Sequence, residues 1–265
     1  KKEGIFIATG NLDKETHKLI KNKCEKLVSL DQEITPGFSD KYNEYLIKSR
    51  YSYNIKNFDI FFCINKTIKK NFIKNLNLKK NKVIASGWPR FDLYKTEFRN
   101  LYSKEVSQLR KKFGTYFLFN SDFGSLSNED RNNQYKFLKK HTKNKKFLND
   151  VLPVFNITDF KNFIRFIESL KLIPKLPKII IRPHPAENLI EWEKVKKINP
   201  NIIIQFPNYD VATMIIASKG VMHRGCTTGF QSLIFKKKTG YIGITNGFKN
   251  TSDFRPLLYR ECKKI

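Results

Sequence analysis

Lys178-Ile179-Ile180-Ile181-Arg182-Pro183-His184-Pro185-Ala186-Glu187 is the stretch whose reading decides the fold. An unbroken run of three isoleucines reads as a strand buried on both faces, the habit of parallel sheets rather than of half-solvated antiparallel ones. Two prolines then stop the strand at once, because proline offers no N–H to a ladder. Ala186–Ile198 follows with a helical pattern. Strand, polar turn and helix together make the repeating unit of a doubly wound α/β sheet.

The same alternation extends in both directions. Toward the C-terminus it predicts strands at Ile202–Phe206, Val221–His223 and Gly240–Ile244, with helices at Asp210–Ala217 and Thr228–Phe235. Toward the N-terminus it predicts strands at Gly4–Thr9, Leu27–Leu30, Phe58–Ile64, Lys82–Ala85 and Tyr116–Asn120. Between these lie helical patterns at Asp13–Lys26, Tyr42–Arg50, Thr67–Asn75, Leu101–Phe113, Asn128–Leu148 and Asp159–Leu172, the last with Asp159 as N-cap. Gly87-Trp88-Pro89-Arg90-Phe91-Asp92 is a turn-rich break and a natural hinge between domains. The chain opens almost directly on a strand, without Met, and reads as lacking its natural beginning.

In open α/β sheets ligands sit outside the carboxyl ends of the strands, and here those ends are polar. Asn120-Ser121-Asp122 follows one, Arg182-Pro183-His184-Pro185 another, and His223-Arg224-Gly225-Cys226-Thr227-Thr228-Gly229 a third. Proline on each side fixes the backbone that carries His184. Arg182 and helix-start amides beside it suit a phosphate. Thr227 and Thr228 stand where the next helix begins, so their hydroxyls either cradle an anion or simply cap that helix. Neither a Walker loop nor a GxGxxG is present, which leaves ATP hydrolysis and hydride transfer without support.

Several phrases carry a family resemblance. An HP turn followed some forty residues later by a Ser/Thr pair is similar to the pattern of bacterial sialyltransferases, polysialyltransferases and Kdo transferases. Leu30–Glu33, Gly87–Asp92, Phe117–Phe123, Arg182–Glu187 and Arg224–Phe230, taken in order, resemble the bacterial surface carbohydrate biosynthesis protein family. The phrase Gly87–Asp92 also resembles CDP-glycerol glycerophosphotransferases.

That resemblance implies a GT-B-like α/β fold of two Rossmann-like, doubly wound parallel-sheet domains, the first incomplete. Residues 1–90 would belong to the acceptor-side domain, 91–110 to a linker and 111–265 to the donor-binding domain. It implies a glycosyltransferase of capsule or lipopolysaccharide synthesis, using a cytidine-nucleotide sugar such as CMP-Kdo or CMP-sialic acid and a carbohydrate or lipid-linked acceptor. One alternative is glycerophosphoryl transfer from CDP-glycerol; the other, read from the chain's charge, is a non-catalytic basic protein that binds nucleic acid or an anionic surface. No cofactor and no metal are implied. His184, Thr227 and Thr228 would hold the donor's phosphate, joined by Arg182 on grounds of charge. Asn120, Ser121 and Arg224 complete the substrate-binding set, and Glu187 would accept ribose hydroxyls or complement its helix dipole. Related enzymes place acidic residues before a glycine, one acting as base or nucleophile. This chain has Asp31-Gln32-Glu33-Ile34, so Asp31 or Glu33 would take that role, and His184 would share in catalysis.

Against 24 Asp and Glu stand 51 Lys and Arg, a net charge of +27. Such an excess suits nucleic acid, an anionic membrane surface or phosphorylated substrates, and heavy use of Lys, Asn, Ile and Phe attributes part of it to coding bias. No RNP, KH or zinc-finger pattern accompanies it, which argues against specific nucleic acid. The four cysteines are far apart with no metal-ligand spacing. Free thiols and the lack of an apolar run of membrane-spanning length predict a cytoplasmic protein, and the positive charge allows a peripheral place on the inner face of the membrane.

Overall fold

The computed structural model describes residues 4–9, 12, 14–34, 40–51, 58–124, 126–141, 157–185, 187–206, 208–224, 226–242 and 263–264. They form two compact units, the first ending at Leu93 and the second beginning at Tyr94. The expected helical tail beyond His141, Ala186, Gly225 and Cys262 lie outside the described residues.

The first unit is a parallel sheet of β1 (Ile5–Ala8), β2 (Lys26–Leu30), β3 (Ile60–Cys63) and β4 (Val83–Ala85), paired in that order. Helices α1 (Lys14–Lys23), α2 (Asp40–Tyr51) and α3 (Lys66–Leu76) make the crossovers. Leu27, Ile47, Tyr51, Phe58, Phe61, Phe72 and Val83 fill its core. The side chain of Asn65 caps α3 by accepting from the Ile68 N–H, and Asn77, in a left-handed conformation, ends it. The turn-rich Gly87–Asp92 stretch includes one helical turn, α4 (Pro89–Asp92). There Trp88 is buried and the Arg90 guanidinium lies 4.6 Å over its ring while donating to the Gln32 carbonyl at 2.8 Å.

The second unit opens with a 3₁₀ turn at Thr96–Tyr102 and α5 (Ser103–Phe113). Its strands are β5 (Phe117–Asn120), β6 (Ile179–Arg182), β7 (Ile202–Ile204), β8 (Gly220–His223), β9 (Lys238–Tyr241) and β10 (Lys263–Lys264). All pairs are parallel, in the spatial order β10-β9-β8-β5-β6-β7. Chain order reverses between β5 and β8, as in a doubly wound nucleotide-binding sheet, and ligands bind at that switch point. The helices are α6 (Asn128–His141), α7 (Ile157–Ser169), α8 (Leu189–Lys196), α9 (Val211–Ala217) and α10 (Thr227–Ile234). Phe119, Ile179 and Ile181 face Phe160, Phe163, Trp192 and Val195 in one core cluster. Among the described residues no helix is long and apolar enough to cross a membrane.

Two of the helix starts that differ from the sequence reading bear on the strand ends. Asp159 does not cap its helix: α7 is already under way at Ile157, and the carboxylate instead pairs with Arg224 at 2.7 Å. The helix expected from Ala186 begins at Leu189, capped by Asn188, whose side chain accepts from the Ile190 N–H. The chain cannot enter the helix sooner because Glu187 turns inward, its own N–H closing a turn on the His184 carbonyl at 2.9 Å.

Phe163 stacks on Phe119 with ring centroids 4.6 Å apart and is almost wholly buried. Phe163→Ala should cost ~3–5 kcal/mol in urea unfolding of this unit. Leu172→Ala, at a side chain 83% exposed, should change stability by no more than about 0.5 kcal/mol.

Candidate functional site

Eight of the ten residues singled out above lie at the carboxyl ends of β5, β6 and β8 or in the segments that follow them. Register brings three strand ends side by side: Asn120 pairs with Arg182 on β6 and with His223 on β8. In-register residues of a parallel sheet share a face, so Arg182, Asn120 and His223 form one polar row across the switch point. Burial lowers the pKa of Arg182, with Asp210 and Cys226 opposing that shift. Among the described residues neither side-chain atom of Asn120 has a hydrogen-bond partner, although the residue is only 2% exposed.

Just beyond this row, the carboxylate of Glu187 organises the HP turn. One oxygen accepts the Phe123 N–H at 2.7 Å. The other accepts from Ser121 Oγ at 2.5 Å, from Trp192 Nε1 at 2.9 Å and from the His184 N–H at 3.1 Å. Ser121 Oγ in turn accepts from that same His184 N–H at 2.9 Å. The His184 side chain stays exposed on a backbone held from inside. Glu187, expected to accept ribose hydroxyls, is buried at 6% exposure and its oxygens are engaged by protein donors. Burial raises its pKa and Asp122 adds to the rise, while the bonds from Ser121, Phe123 and His184 pull the other way.

Helix α10 supplies the third side. Its N-cap is Cys226, with no side-chain cap bond, so neither threonine caps it; they occupy the first two helical positions. The Thr228 hydroxyl lies 2.6 Å from Cys226 Sγ, and Thr227 is partly exposed. Gly229 packs directly on the buried His223 ring: a Cβ there would come within 2.5 Å of the imidazole. Arg224, 4.4 Å over the Phe123 ring, is tied to Asp159 on α7. His223, Gly229 and Asp159 belong to this architecture and were missed as site residues. A glycine early in a helix, where it costs stability, was the available signal for close backbone approach.

Asp31 and Glu33 lie in the first unit, after β2. Asp31 is fully buried; one oxygen accepts the Ile34 N–H and the other the Tyr51 hydroxyl, each at 3.0 Å. Glu33 is exposed.

No family model and no curated protein sequence matches this chain. Solved structures do match in fold. The wall teichoic acid polymerase TagF superposes with a TM-score of 0.57 at 13% identity, over 97% of this chain and 58% of that one. UDP-GlcNAc 2-epimerase from Methanocaldococcus jannaschii gives 0.54 at 13% identity, over 98% and 65%. The enzyme of the same name from Rickettsia bellii gives 0.51 at 13% identity, over 91% and 56%. The chain therefore has a GT-B-like fold and spans less than two thirds of the length of each of these proteins.

The raised pKa of Glu187 has a definite sign for stability. A folded state that holds the proton more tightly than the unfolded chain loses stability as pH climbs from the ordinary glutamate value of 4.5 through the folded one. Compared with Glu187→Gln, which cannot titrate, the wild type should therefore hold its greatest relative stability at the acid end. That margin should shrink toward neutrality, read as urea midpoints of both proteins across the pH range.

Proposed function

We propose that this chain is the donor-binding part, with a share of the acceptor-side domain, of a GT-B-type transferase that builds bacterial surface carbohydrate from a cytidine-nucleotide-activated donor. One observation carries the reading: the start of α10, without a side-chain cap, stands at the switch point of a doubly wound sheet beside the partly buried Arg182. Helix-start amides, hydroxyls and a guanidinium are what a phosphate group requires. When the bond from donor phosphate to transferred group breaks, negative charge grows on the phosphate, and donors already in place stabilise it without reorganisation. His184, exposed on a fixed turn, supplies a further hydrogen bond or proton to that leaving group. On the acceptor side the role of base falls to Glu33, because both oxygens of Asp31 are bound within the protein.

Cytidine is favoured by the sequence phrases above. The likeness to the teichoic acid polymerase, one crystal of which was soaked with CDPG, supports glycerophosphoryl transfer as the second reading beside CMP-sugar transfer. The M. jannaschii epimerase was crystallised with UDP-GlcNAc and UDP, so uridine nucleotides are the comparison to run. The acceptor in this reading is a carbohydrate or lipid-linked chain, and the +27 charge holds the enzyme at the anionic inner face of the membrane.

Binding to the folded state must raise the melting temperature, so CMP or CDP should do so more than UDP or GDP. Failure of every cytidine nucleotide to shift it sinks the reading. His184→Ala should leave the apo melting temperature unchanged while abolishing turnover or donor binding. Replacing Thr227 and Thr228 together by Val should weaken calorimetric nucleotide affinity by roughly 1–3 kcal/mol, the worth of hydrogen bonds to a charged group.

A further inference from the structure

Asn120 ends the strand at the middle of the second sheet, buried, with a donor and an acceptor that nothing in the described protein satisfies. Leaving both ends of a buried carboxamide unpaired is costly. An aliphatic side chain of similar size would fill the space at no such cost, and Leu118, two residues back on the same face, is one. We propose that Asn120 grips a pair of neighbouring hydroxyls on the sugar or polyol directly attached to the donor's phosphate. The inference rests on the donor reading given above and adds to it which chemical group the site selects.

The argument is one of donor and acceptor balance. A phosphate presents acceptors only. It would satisfy the Asn120 amide N–H and leave the amide oxygen buried and unpaired. The anion has other donors in any case: Arg182, beside Asn120 in register, and the start of α10, whose Gly229 lies on the neighbouring His223 ring. What the row lacks is a partner for an acceptor. A hydroxyl both donates and accepts, so two adjacent hydroxyls meet the carboxamide end to end, one giving a hydrogen to Oδ1 and the other accepting from Nδ2. A nucleobase edge offers a similar pattern, but the ribose separates it from the phosphate, whereas Asn120 stands immediately next to Arg182. Two parts of one donor carry hydroxyl pairs joined to phosphate: the ribose and the transferred glycosyl or glycerol group.

Asn120→Leu tests this by calorimetry with four probes: inorganic pyrophosphate, CDP, dideoxy-CDP and CDP-glycerol. Pyrophosphate affinity should be unchanged. If the ribose is the partner, CDP should weaken about tenfold, an effect of the size of one or two hydrogen bonds, while dideoxy-CDP is indifferent to the substitution. If the transferred group is the partner, CDP should be unaffected and the advantage of CDP-glycerol over CDP should vanish. The apo variant should melt no lower than the wild type, since an unpaired polar group has been removed. Asn120→Ala provides the same comparisons should leucine disturb the strand end. Wild-type affinity for all four probes overturns the proposal, as does an apo variant whose lower melting point is reproduced by alanine. An equal loss for pyrophosphate would make Asn120 a phosphate ligand instead, and an equal loss for CDP and dideoxy-CDP would make it a reader of the base; either result overturns it. A wild type that binds none of the probes is a different failure, that of the donor reading itself.

Discussion

Three separate stretches of chain meet on the carboxylate of Glu187. Ser121 and Phe123 come from the end of β5, His184 from the HP turn and Trp192 from α8. A carboxylate out of water is tolerable only when its lone pairs are used, and here four donors use them. Bonds to an ionised acceptor are shorter and stronger than neutral ones, so this one side chain sets where the two strand ends stop relative to each other. It also sets how α8 leaves the sheet, because the inward turn of Glu187 delays the helix to Leu189.

The division of labour at the edge follows from that anchoring. Residues on the inner side of the turn, Ser121 and Glu187, spend their polar atoms on the protein. His184 keeps its ring outside, on a backbone with a proline on each side. A second tie, Asp159 to Arg224, joins α7 to the segment after β8, with the Arg224 guanidinium over the Phe123 ring. Since Phe123 also donates to Glu187, the two anchors share a residue, and the ends of β5, β6 and β8 are braced from one side of the sheet.

Strand positions were legible from sequence because parallel strands bury both faces and leave runs such as Ile179–Ile181 that few other structures would produce. The polar strand ends were legible for the complementary reason, since nothing in packing calls for Asn120 or Arg182 there. Spatial order was not legible: that β5 lies between β6 and β8 depends on pairings across about sixty to a hundred residues, which leave no local mark. Helix starts were misjudged where a long-range partner outweighed local preference. Asp159 resembles an N-cap but finds Arg224, and Glu187 suits a first helical turn but is drawn inward by β5. Asp31 and Glu33 looked equivalent as bare letters; the Ile34 N–H and the Tyr51 hydroxyl, the latter twenty residues away, hold Asp31 in the buried position while Glu33 is exposed. At α10 local chemistry allowed a threonine cap as well as an anion cradle, yet the chain places Cys226 at the cap; its thiol engages the Thr228 hydroxyl, and Thr227 is left partly exposed.

Gly229 resting on the His223 ring has a consequence for how far this site can vary. The imidazole acts as a spacer between sheet and helix, because the first turn of α10 rests on it through a residue that has no side chain. A smaller residue at His223 would let the helix sink toward the sheet, and any side chain at Gly229 would lift it. Either change moves the helix-start amides as a rigid set relative to Arg182 and Asn120, which are fixed in the strands. The two positions are thus coupled, and substitutions at them should be tolerated only in pairs that keep the ring-to-backbone spacing.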